Sequence, residues 1–145
     1  MALTYIEIGE WALMQAPAQA VRTAVFVHEQ GIAPEDEWDA ADATALHAVL
    51  LDAQGRALGN ARLLQPSPSL AKVGRMAVLR EARGKGYGAR LLQAMLSEAR
   101  RRGHKEVRLS AQRSAEGFYV AHGFTPVGEP FDEVGIPHIE MRLQF

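Results

Sequence analysis

The sequence predicts an α/β chain of the α+β kind, folded as one domain over residues 1–145, and three observations carry that expectation. A length of 145 residues suits one substantial hydrophobic core and is too short for two. With 48% hydrophobic and 23% charged residues, the chain has a globular composition and should fold throughout. Hydrophobic periodicity then reads strand, helix, three strands, helix, strand, helix and closing strands, with no repeat, low-complexity stretch or linker dividing them.

Residues 3–8 alternate as a strand does. Pro17 is expected to open a helix with Val21, Ala24, Val25 and His28 on one face and Gly31 at its end. Residues 32–44 carry Pro34 and the acids Glu35, Asp36, Glu37, Asp39 and Asp42 around Trp38, and read as a polar loop with a short helical turn. Residues 47–52 and 57–64 are apolar runs parted by Ala-Gln-Gly-Arg, a hairpin with Gly55 in its turn. A strand at 73–79 leads to the glycine-rich run Arg83-Gly84-Lys85-Gly86-Tyr87-Gly88. Leu91, Leu92, Met95, Leu96 and Ala99 then recur at helical spacing, with Gly103 as the C-terminal cap. Residues 106–111 form a strand, and Ser114 is expected to cap a short helix through Phe118, Tyr119 and His122 that Gly123 ends. Residues 125–127 and 138–144 supply the last strands around a loop at 128–135.

The net charge of -1 is unevenly spread. Residues 72–113 hold 12 of the 16 basic residues against three acids, a balance of +9, and the remainder holds four against 14, a balance of -10. That asymmetry permits a polyanionic ligand on the middle segment and a cationic one elsewhere. Arg100-Arg101-Arg102 is read as cations opposing the negative end of a helix. The basic segment lacks interleaved aromatics, so no nucleic-acid partner is expected. Without cysteine there is no disulfide, thiolate metal site or cysteine nucleophile, and the five histidines fall in no ligand spacing, so no metal is expected. No run approaches the roughly 18 apolar residues of a membrane span, and Met1-Ala-Leu-Thr-Tyr-Ile has no secretion-signal pattern. The expectation is a cytoplasmic protein with no membrane partner.

A strand that ends in a glycine-rich turn opening a helix makes an anion site, because backbone N–H groups and the positive helix end converge there. Arg83 and Lys85 add charge suited to a diphosphate. Gly84-x-Gly86-x-x-Ala89 also satisfies the dinucleotide fingerprint, but that fold places it in its first strand–helix unit, whereas several strands precede it here. No Gly-Lys-Ser/Thr ends the loop, which excludes a Walker-type phosphate loop.

Val78 followed by Arg83-Gly-Lys-Gly-Tyr-Gly88 matches (Gln/Arg)-x-x-Gly-x-(Gly/Ala), and with Phe118-Tyr119-x-x-x-Gly123-Phe124 it resembles the two signatures of the GNAT N-acetyltransferase superfamily. Val25-Phe-Val-His-Glu-Gln30, Gly74-Arg75, Ala111-Gln112 and Gly135-Ile-Pro-His138 extend the resemblance to its ElaA-like branch, over about residues 21–141. The resemblance implies a mixed, mostly antiparallel sheet, flanked by helices and splayed between the strands at 73–79 and 106–111. Pantetheine of acetyl-CoA would lie in the split against backbone around Ala77 and Val78. The diphosphate would sit on the amides of Arg83, Gly84, Lys85, Gly86, Tyr87, Gly88 and Ala89. The implied activity is direct acetyl transfer from acetyl-CoA to a small-molecule or peptidyl amine acceptor. A non-catalytic acyl-CoA-binding or sensing module is the alternative, and a homodimer is left open.

An alkyl amine of pKa about 10.4 is about three units from neutral at pH 7, so freeing its lone pair costs about 4.6 kcal/mol. A base should accept that proton, and the departing thiolate wants a proton or a hydrogen bond. Tyr119 resembles the family's tyrosine that faces the thioester sulfur; the competing reading is a phenol packed beside Phe118. Glu29, His47, Glu133 and His138 fall in segments resembling the branch's cleft, and each is a candidate base. Glu133 and His138 are favoured because their loop could close over the acceptor. Phe26 and Trp38 are candidates for an acceptor pocket or for the core. Where many family members carry asparagine at the end of the strand after the coenzyme helix, this chain has Ser110-Ala111-Gln112.

Overall fold

The computed structural model describes residues 3–145. The chain runs β1 (Thr4–Glu10), α1 (Trp11–Arg22), a π-helical segment (Thr23–Glu29), α2 (Pro34–Glu37), a 3-10 turn (Ala40–Ala43), β2 (Leu46–Asp52), β3 (Ala57–Leu64) and β4 (Leu70–Val78). It continues through a 3-10 turn (Arg80–Ala82), α3 (Tyr87–Arg101), β5 (Glu106–Gln112), a 3-10 turn (Arg113–Ala115), α4 (Glu116–Ala121), β6 (Thr125–Glu133) and β7 (Ile136–Gln144). The strands form one sheet in the order β1-β2-β3-β4-β5-β7-β6, antiparallel except where β4 meets β5. This is the mixed, mostly antiparallel sheet flanked by helices that the sequence resemblance implies.

Helices cover both faces of β2. Its residues Ala48 and Leu50 join Leu91, Leu92 and Met95 of α3 in the main core, whereas Val49 and Leu51 pack with Met14 and Ala18 of α1. A strand buried on both faces reads as a continuous apolar run, as residues 48–51 do. α3 ends as its sequence requires. Gly103 at φ 87° donates to Arg100, and His104 donates to Ala99, which closes the last turn. At Gly59 of β3 the helix comes so close that an added Cβ would lie 2.8 Å from Leu91 Cδ1 and 3.0 Å from the Ala77 carbonyl.

Three local expectations are corrected. α1 begins at Trp11, six residues before Pro17, which lies inside it. An interior proline costs a helix about 3 kcal/mol. Burying Met14 and Val21 on the same face contributes about 1.5–3 kcal/mol each, so packing wins. Ser114 caps no helix; it lies in the 3-10 turn before α4, whose N-cap is Ala115. The expected loop at 128–135 is mostly strand, because β6 and β7 form a hairpin. Pro126 and Pro130 fit within β6 because it is an edge strand, where a missing N–H is tolerated. Residues 128–130 bulge between the pairs Val127–Glu140 and Phe131–His138.

The sheet opens between β4 and β5. These strands pair only from Leu70–Glu106 to Lys72–Arg108 and then diverge. On its other side, β4 carries an extra residue between the pairs Arg62–Gly74 and Asn60–Ala77. Arg75 occupies this bulge at φ 50°, a left-handed conformation uncommon for a non-glycine residue. A bulge bends its strand, here along the segment that leaves β5.

Candidate active site

The divergence leaves a cleft of about 570 Å³. Residues 73–78 of β4 form one wall and Leu109, Ser110 and Gln112 of β5 contribute to the other; Val25, Phe26 and Gln30 flank the cleft together with Tyr119, Glu133, Val134 and His138. Ala77 and Val78, the expected pantetheine partners, lie on the β4 wall.

Beyond the end of β4 comes the glycine loop. Gly84 and Gly86 stand at φ 79° and 80°, a left-handed region that strains other residues, so the loop's shape depends on them. Gly86 is the N-cap of α3 and has no side chain to satisfy the first turn. The N–H groups of Tyr87, Gly88 and Ala89 therefore have no helical carbonyl before them, and they sit at the positive helix end. This donor set fits a diphosphate. Lys85 is exposed beside it. Arg83 is differently engaged than its charge alone suggested. Its Nε donates to the Val78 carbonyl at 3.0 Å, and its two terminal nitrogens each donate to one Glu29 oxygen at 2.8 Å.

Tyr119 is buried at the cleft wall, edge-on to Phe118 and to Phe124. Burial pushes its phenol up to about 12, so it is protonated at neutral pH and available as a donor. His138, on β7, is held by three contacts. Its Nδ1 lies 2.7 Å from the Ile136 carbonyl, which assigns the neutral ring's proton to Nδ1 and leaves a lone pair on Nε2. Glu133 Oε2 stands 3.5 Å from that Nε2, and Phe131 stacks on the ring with centroids 6.0 Å apart. The hairpin thus brings Glu133 and His138 together at the cleft.

The other two candidates sit elsewhere. His47 does not line the cleft; it is fully buried on β2 beside Trp11, with Nε2 donating to the Asp42 carbonyl at 2.9 Å. Burial lowers its pKa, favouring the neutral ring. Glu29 is locked by Arg83, whose hydrogen bonds hold its carboxyl below the usual carboxylate range. A carboxylate so engaged is a poor base.

Sequence reading missed an ion network at the cleft, which Glu37, Arg62 and Arg75 help to line. Arg22, fully buried, donates to Glu37 at 2.8 Å and to Asp42 at 2.8 and 3.1 Å, with its guanidinium near the rings of Trp11 and Trp38. Arg62 reaches Asp39 at 2.7 Å and Asp42 at 3.0 Å, while Arg75 reaches Glu37 at 3.0 Å and Asp39 at 3.2 Å. Glu37, Asp39 and Asp42, three of the 14 acids outside residues 72–113, are therefore paired with arginines within the fold. Burial raises the Glu37 pKa despite its arginines, whereas Arg22 and Arg62 outweigh burial at Asp42 and lower it. Trp38 packs on this network and does not line the cleft; Phe26 does. The available signal was Arg22 itself, four residues after Ala18 and so on the buried stripe of α1.

The family model described as the acetyltransferase (GNAT) domain matches residues 14–145. The chain is 33% identical over 122 residues to the uncharacterized N-acetyltransferase YjcF of Bacillus subtilis, covering 83% of this chain and 86% of that protein. An acyl-CoA N-acyltransferase from Pseudomonas aeruginosa superposes with a TM-score of 0.86 at 32% identity, covering 97% of this chain and 99% of that one. Escherichia coli ElaA superposes with a TM-score of 0.87 at 27% identity, covering 98% and 100%.

Proposed function

We propose, from the premise that this chain belongs to the GNAT acetyltransferase domain family, that it transfers the acetyl group of acetyl-CoA directly to the nitrogen of a small-molecule or peptidyl amine. The observation that carries this reading is the split between β4 and β5, with an amide-lined loop beyond one wall and with Tyr119 and His138 facing the cleft. The N–H groups from Gly84 to Ala89, with Lys85, hold the diphosphate, and backbone at Ala77 and Val78 orients the pantetheine arm.

His138 Nε2 takes a proton from the acceptor ammonium, and Glu133 stands where the resulting imidazolium needs a counter-charge. The amine nitrogen then attacks the thioester carbon, loses its second proton as the C–N bond forms, and the C–S bond breaks. The sulfur takes up one of the two protons, so one is released to solvent per turnover. Tyr119 acts as a hydrogen-bond donor to the departing thiolate. Complete transfer from a phenol near 12 to a thiolate of ordinary pKa about 8.5 would be uphill by roughly 5 kcal/mol.

The test is thiol release from acetyl-CoA across a panel of amines, with Tyr119→Phe beside the unsubstituted protein. Turnover in Tyr119→Phe should fall by about 10²-fold or more with coenzyme affinity kept. Equal turnover removes Tyr119 from the mechanism, and tight coenzyme binding without turnover on any amine removes the catalytic reading.

A further inference from the structure

Past Lys72 and Arg108 no ladder bond joins β4 to β5; their far ends pair only outward, Val78 with Gly59 of β3 and Gln112 with His138 of β7, so no backbone pairing between them fixes the width of the split. Those ends are Val78 and Gln112. Two consecutive residues at the end of the π-helical segment reach both of them. Glu29 accepts from both terminal nitrogens of Arg83, whose Nε holds the Val78 carbonyl. Gln30 accepts from Gln112 Nε2 at 2.8 Å and donates back to Gln112 Oε1 at 3.4 Å. The chain from Val78 through Arg83, Glu29 and Gln30 to Gln112 is continuous, and it crosses the open end of the split.

We propose that Glu29 and Gln30 form a strap that holds the free ends of β4 and β5 at the width the coenzyme arm requires, making Gln30 and Gln112 positioning residues. The inference rests on the acetyltransferase reading above. An extended chain lying between two strands needs them about twice the usual ladder spacing of 4.7–4.9 Å apart. Strands free to close or drift would have to be ordered at the moment of binding, whereas a strapped pair is ordered beforehand. The π-helical winding of residues 23–29 accords with this task, since π turns are rare and frequent at functional sites. Both glutamines line the cleft and are only partly buried, so the strap is not a core contact.

Calorimetric titration of the full chain with acetyl-CoA tests the strap. Gln30→Ala and Gln112→Ala should each raise the coenzyme Kd about five- to tenfold, the worth of roughly one net hydrogen bond, with melting temperature unchanged. The double variant should bind as either single one does, because both remove the same link. Gln112→Glu keeps the reach and an acceptor for the Gln30 amide, and should stay within about twofold of the unsubstituted chain. Gln112→Asn is one methylene short and should behave as alanine does. Unchanged Kd in both alanine variants, additive losses, or equal binding by Gln112→Asn and Gln112→Glu overturns the strap. Should Gln112→Ala fail to fold, the comparison of Asn with Glu decides alone. Failure of the unsubstituted chain to bind acetyl-CoA would instead defeat the functional reading and the strap with it.

Discussion

His47 shows how residue type and residue role part company. Histidine was a reasonable base on chemical grounds, but the ring is enclosed between β2 and Trp11, with Nε2 committed to the Asp42 carbonyl. Its native pKa lies below the ordinary 6.5, with burial the leading cause. A depressed native value means that the neutral ring's contribution to stability is complete above about pH 6.5 and is lost as pH falls through the native value. Denaturant unfolding at pH 7.5 and at pH 5.5 should therefore show a smaller acid loss in His47→Gln than in the unsubstituted chain; equal losses would contradict the assignment. Motif position pointed to Tyr119 and His138, both of which line the cleft, but not to the protonation of either ring. The tautomer at His138 follows from the Ile136 carbonyl, and the high phenol pKa follows from packing around α4.

At the scale of elements, the long amphipathic helix and the central strands were the most legible parts, because their burial pattern repeats within the segment itself. α1, α4 and the β6–β7 hairpin were less so. Each contains proline, glycine or a polar run whose local preference is overridden by burial or by an edge position. Glycines separate the two influences cleanly. Gly59→Ala would force a Cβ against Leu91 and the Ala77 carbonyl, and should destabilise the fold by about 1–3 kcal/mol in urea titrations. Gly117, inside α4 with no described residue within 4 Å of an added Cβ, should instead gain about 0.5–1 kcal/mol on change to alanine. If both substitutions destabilise alike, helix–strand proximity is not what selects glycine at 59.

For the whole molecule, ligand linkage gives the most direct check. A ligand bound only by the native state at about 100 times its Kd adds about 2.7 kcal/mol, which for a chain of this size raises the melting temperature by roughly 5–10 °C. Thermal unfolding with acetyl-CoA should show that rise, and no shift at millimolar coenzyme would count against the assignment of the glycine loop. Legible in the residues alone were the α+β class, the order of most elements, the glycine-rich turn at Gly84 and Gly86 that opens α3, and the family resemblance. All of these are written in residues close together along the chain, where spacing and backbone preference act. Which charged and polar groups are paired, and which face the cleft, was settled by the tertiary fold. Arg22 meets Asp42 from 20 residues away, Arg83 meets Glu29 from 54, and Gln30 meets Gln112 from 82. Such pairs depend on how elements cross and pack, and a charge that looks free in the sequence is free in the molecule only if no distant partner is folded against it.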